Sequence, residues 1–192
     1  MKVSKVLAAL TLGTLLCAAR LHAQGAEFSL GGGVGIPLGD TDDRDKLGWH
    51  GLAGVSFVPT NLPVGFQIDG QFHQFKLDDA LQVGSSDLKD RLIFGTGNVV
   101  YKFKTSELST FRPYLIGGVG VYNIKTTGAD DVGGVVDTDN STTKFGLNAG
   151  AGFDIKAGGV GLFVEGRFHD VFTDGTNFRF IPITVGVRFG GH

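Results

Sequence analysis

The residues with chemical capacity fall at every second position. Asp69, Gln71 and His73 make one such row and Glu165, Arg167 and His169 another, with Asn98, Asp154 and Arg188 in comparable alternating settings. A spacing of two puts the members of a row on one face of an extended strand. Carboxylate, guanidinium, amide and imidazole groups sharing a face can build an ion-pair and hydrogen-bond network. Glu165 lies two residues from Arg167, and the segment holding Arg188 follows as the next strand. Charges in a narrow interior must be paired or hydrated. The network therefore serves as a structural plug or as a gate for ions or protons, and the plug is the reading preferred here.

Other chemistries find less support. His50, His73 and His169 sit on three segments with no shared spacing, and there is no H-E-x-x-H motif or Cys/His set, so structural or solvated histidines are expected and no metal or cofactor. Asp40-Thr41-Asp42-Asp43-Arg44-Asp45 starts like a calcium loop, but Arg44 and Asp45 stand where a ligand and a Gly are needed, and Gly51 stands where the terminal Glu belongs. Asp137-Thr138-Asp139-Asn140-Ser141 fails in the same way. No G-x-S-x-G occurs. A hydrolase made from His50, His169, Asp170 and Asp174 at one rim is the least favoured alternative.

What must position these groups is a set of strands. The clearest is Phe178–Phe189, where Ile183, Val185, Val187 and Phe189 alternate with Thr184, Gly186 and Arg188. Seven further segments alternate likewise: 28–38, 49–57, 64–75, 92–103, 114–124, 144–155 and 161–172. In the glycine-rich fifth, Leu115, Val119 and Val121 are assigned outward. Connections after the second, fourth and sixth strands are short. Those after the first, third and fifth are longer and acidic, and with Asp174 they gather thirteen of the nineteen acidic residues at one end. An even strand number, short turns at one end and long loops at the other predict an all-β fold, a closed eight-stranded antiparallel up-and-down transmembrane β-barrel. Pro182 removes a ladder donor inside the closing strand and is expected near the outer rim, close to Leu38.

Alternation alone does not say which face meets water. A soluble barrel would carry many Lys and Glu outside; here the polar parity is mostly Gly, Ser, Thr, Asn and Gln, which suits a narrow interior. Glycine is 32 of 192 residues, far above the usual ~7%. Aromatics near both strand ends suggest two interfacial girdles: Trp49, Phe72, Tyr122 and Phe168 toward the loops, and Phe57, Phe66, Tyr101, Phe103 and Phe189 toward the turns.

The N-terminus reads as a signal peptide, residues 1–23, with Lys2 and Lys5 ahead of an apolar run from Val6 to Ala19. Cleavage after Ala23 is preferred and after Ala19 is the alternative. The barrel domain is then 24–192, without cysteine and with a net charge near −5, which argues against nucleic acid.

Gly31–Asp40, Arg112–Val121, Phe145–Phe153, Val164–Phe168 and the closing strand resemble the outer-membrane β-barrel domain family, the porin-like or OmpA- and OmpX-like small barrels. The likeness covers the whole mature chain and lies in the order of short glycine-based motifs. It implies an outer-membrane location and no single activity. Members typically end in Phe; here Gly190-Gly191-His192 follow Phe189. Eight strands leave an interior just wide enough for side chains, so a wide pore is not expected. The expected role is structural or interactive, through the loops, in contact with outer-membrane lipid, lipopolysaccharide and a surface partner. The C-terminal strand would be read by the assembly machinery. A narrow channel for ions or small solutes is the alternative.

Overall fold

The computed structural model describes residues 26–39, 45–59, 62–77, 89–106, 109–127, 141–157, 159–175 and 177–190. The loop residues Asp40, Asp42, Asp43, Asp78, Asp79, Asp87, Asp130, Asp131, Asp137 and Asp139, and the signal segment 1–23, lie outside them, whereas Asp45 and Asp90, expected in the loops, fall within strands. Eight strands follow in chain order: β1 (Ala26–Leu38), β2 (Asp45–Phe57), β3 (Val64–Leu77), β4 (Lys89–Lys102), β5 (Phe111–Thr127), β6 (Ser141–Ala157), β7 (Val160–Val171) and β8 (Phe178–Gly190). Each pairs with its sequence neighbour, and β1 pairs with β8, so the sheet is a closed antiparallel barrel. Closure matters because an unpaired edge in hydrocarbon leaves backbone groups unsatisfied at several kcal/mol each. The strands overrun most of the expected ends by up to four residues, mostly toward the loops, where the ladders continue past the apolar alternation; β4 and β7 each stop one residue early, at Lys102 and Val171.

The side chains sort by parity. Outward positions hold Leu30, Val34, Ile68, Val119, Phe145 and Val185, all exposed large hydrophobics. Leu115, Val119 and Val121 are among them, as assigned from the sequence. The outward charges on described side chains, Arg91, Asp170 and Arg179, all sit at the loop end. A water-facing surface would scatter charge over its whole height, whereas an uncharged band is what hydrocarbon selects. The strands are 12 to 17 residues long, beyond the roughly ten needed to cross a bilayer at a tilt. Among the described residues no helix is long and apolar enough to cross a membrane.

Two expectations need correction. Tyr122 is not in the outer girdle: it is fully buried inside the barrel, packed with Phe94 at 4.7 Å between ring centroids. Its parity is that of Tyr114 and Ile116, opposite to Val119 and Val121, and parity overrides its nearness to a strand end. Pro182 lies deeper than expected, opposite Gly35, while Leu38 pairs with Arg179. The missing donor is accommodated on the β7 side. There the ladder passes from Gly166–Ile183 to His169–Phe180 without a change of register, leaving a gap at Pro182.

Candidate functional site: the barrel interior

Inward parity brings together large polar groups because glycines on the paired neighbouring strands leave room for them. A Cβ at Gly150 would run into the Gly166 carbonyl and lie 2.7 Å from the Arg167 Cα, and one at Gly33 would meet the His50 ring at 3.0 Å. The glycine excess is thus partly an interior property. Thin strand faces accept the backbone and side chains of the strand paired beside them.

Three levels follow from the loop end to the turn end. The first is apolar: Phe75, Leu92, Phe94, Tyr122, Val171 and Phe180 form a buried cluster, with Ile124 and Phe178 packed against it. Rings meet there largely edge-to-face, as in Phe75–Phe180 and Phe94–Phe180, a geometry favoured by the aromatic quadrupole. The sequence reading missed this layer, expecting an interior of small polar residues. The parity of Phe75, Phe94 and Phe180 was the available signal.

Histidines lie beneath this layer. The reading that they do not converge is corrected in part. His50 and His73 are cross-strand partners with stacked rings, 4.5 Å between centroids and 8° between planes. His169 packs on the same Phe94 and Phe180 rings as His73 and is hydrogen-bonded to the Tyr122 hydroxyl at 2.8 Å. His50 bonds Thr184 Oγ1, and His73 bonds Gln71 Oε1. Among the described residues no group of three His, Cys, Asp or Glu could hold a metal ion.

The middle level is ionic. Asp69 on β3 faces Arg167 on β7, four strands away across the lumen, with Nη1 donating to Oδ2 at 3.1 Å. Asp69 also accepts from Gln67, Gln71, Thr96 and Asn98, at 2.8 to 3.1 Å. Asn148 in turn donates to Asn98. Arg167 closes a second pair with Glu165 through Nε and Nη2. Arg167, Asp69 and Glu165 are all buried. A buried carboxylate with five donors and a buried guanidinium between two carboxylates meet the condition under which such charges are tolerable.

The third level continues the chain of bonds. The Tyr114 hydroxyl donates to Glu165 Oε2 at 2.9 Å and accepts from Arg188 Nη2 at 3.0 Å. Arg188 also pairs with Asp154 and lies over the rings of Phe163 and Tyr114. Lys102 bridges Asp154 and Glu27. Hence Asp69, Gln71, His73, Asn98, Glu165 and Arg167 join one connected network, and Arg188 and Asp154 extend it through Tyr114. His169 belongs to the aromatic layer instead. The carboxylate partner of Arg188 is Asp154. Of the rim residues considered for hydrolysis, Asp170 pairs with Arg179 and Asp174 with Lys144, while His50 and His169 are buried among aromatic rings.

A closed eight-stranded barrel with a lipid-compatible outside and a charged, hydrogen-bonded inside defines an integral membrane protein of the outer-membrane type. The chain belongs to the family described as outer membrane protein beta-barrel domain, which matches residues 8–189. No curated protein matches it in sequence. Among solved structures it is similar to the Neisserial surface protein A, with a TM-score of 0.63 at 19% identity over 86% of this chain and 97% of that one. A major outer membrane protein from Thermus thermophilus gives 0.58 at 15% identity, over 85% and 98%. Ail, the attachment invasion locus protein of Yersinia pestis, gives 0.51 at 17%, over 86% and 99%. At these identities the likeness is one of fold.

Proposed function

We propose that this outer-membrane barrel is a structural or interaction protein without enzymatic activity. It is exported by segment 1–23, set with its short turns toward the periplasm, and acts through its long acidic loops on lipopolysaccharide or a surface partner. The closing strand, Ile183 to Phe189, is the segment offered to the assembly machinery. The observation that carries the non-conducting part is Arg167 held between Asp69 and Glu165 beneath a packed aromatic layer. Moving a guanidinium out of two such bonds costs several kcal/mol, so thermal opening is rare.

The polar lower lumen favours a second reading, a narrow channel for ions or small solutes. Planar-bilayer recording on the purified protein separates the two. The expected outcome is a silent membrane; steady, discrete openings would establish the channel.

A further inference from the structure

The turn end of the lumen opens into a cavity of about 160 Å³, whose walls include Glu27, Lys102, Arg112, Asp154, Lys156 and Arg188. Four cations face two carboxylates. The carboxylates are already engaged, Glu27 by Lys102 and Asp154 by Arg188 and Lys102. Arg112 and Lys156 have no ion-pair partner among the described residues. Their positions follow from the strands: Arg112 is the cross-strand partner of Asp154, and Lys156 follows Asp154 by two residues on the same face of β6. Arg188 also lines the recess, with Nη1 engaged by Asp154 and Nη2 by the Tyr114 hydroxyl. It is 6% exposed, and its Nε is buried without a hydrogen-bond partner. A surplus of two positive charges in a recess with low-dielectric walls concentrates anions of matching charge.

We propose that this vestibule binds a compact phosphate dianion, free or as the monoester end of a larger molecule. Arg112 and Lys156 supply the charge, and the rim glycines Gly159 and Gly161 leave the space open: a Cβ at Gly159 would meet nothing within 4 Å, and one at Gly161 only Arg188, at 3.6 and 3.7 Å. An arginine fork and a lysine point charge are the usual pair for this chemistry. The inference is independent of whether the lumen conducts.

The test is titration calorimetry on the full barrel in a maltoside detergent, which brings no phosphate of its own. The probes are sodium phosphate, against sodium chloride of equal ionic strength, and dihexanoyl phosphatidic acid. Saturable binding of either probe is expected, and the one that binds identifies the source. Arg112→Gln with Lys156→Gln weakens it about tenfold or more, the loss of one to two charge-assisted bonds. Lys144→Gln at the opposite mouth leaves it unchanged. Glu27→Gln, which raises the positive surplus, tightens it. A boiling-dependent gel shift establishes that each variant is folded. Absence of saturable binding by both probes overturns the proposal, and so does binding that survives the double substitution or falls equally with Lys144→Gln.

Discussion

Arg167 is the residue on which the interior depends most. It reaches from β7 to Asp69 on β3 and holds Glu165 on its own strand, with all three groups out of water. Replacing it with leucine would leave two carboxylates buried without their counter-charge, a loss of about 3–5 kcal/mol for a broken buried pair. Arg167→Leu should therefore lower the urea midpoint of unfolding in detergent strongly while leaving planar-bilayer conductance at background; an unchanged midpoint would refute the network's structural weight. The period of two already put Asp69, Glu165 and Arg167 on inner faces. That Arg167 would meet Asp69, ninety-eight residues away, was not legible. Parity tells which way a side chain points but not its height along the barrel axis. Height depends on the stagger between strands, which no local pattern records. The same ignorance of height hid the stacking of His50 on His73 and the pairing of Arg188 with Asp154.

Among the elements, β8 carries the greatest burden because it must close the sheet against β1. Twelve residue pairs join them, from Glu27–Gly190 to Leu38–Arg179, and the rings of Phe28 and Phe189 stack at 5.9 Å near the turn end. A ring pair of this kind contributes about 0.5–1.5 kcal/mol beyond its buried area. A double-mutant cycle with Phe28→Ala and Phe189→Ala, read by urea unfolding in detergent, should give a coupling of that size; additive effects would show that the rings act separately. The closing strand was plain in the sequence because its alternation is nearly unbroken. Pro182 disturbed the pattern without ending the strand. Its lost donor falls on the β7 side, while the β1 ladder that closes the barrel runs uninterrupted.

At the scale of the whole molecule, burial is inverted relative to a soluble domain. The centre holds ion pairs and histidines, and the periphery holds bare apolar side chains. Ile68 is 66% exposed and Leu47 58%, and in water such a continuous surface would drive aggregation. In a bilayer the surface is at rest, and the cost of a charge there depends on depth. Ile68 lies on β3 between Phe66 and Phe72, within the uncharged band, whereas Leu47 lies on β2 near the loop end. An arginine at the bilayer midplane costs a transmembrane barrel about 2–4 kcal/mol, falling to about 0–1 near the interface. Ile68→Arg should therefore destabilise the protein in lipid vesicles by the larger amount and Leu47→Arg by the smaller. Unfolding in vesicles of defined thickness reads both. Equal costs at the two positions would contradict the placement of the band. A smaller cost at Ile68 would mean that this wall faces water, and the apolar parity would then need a protein partner instead of lipid to cover it.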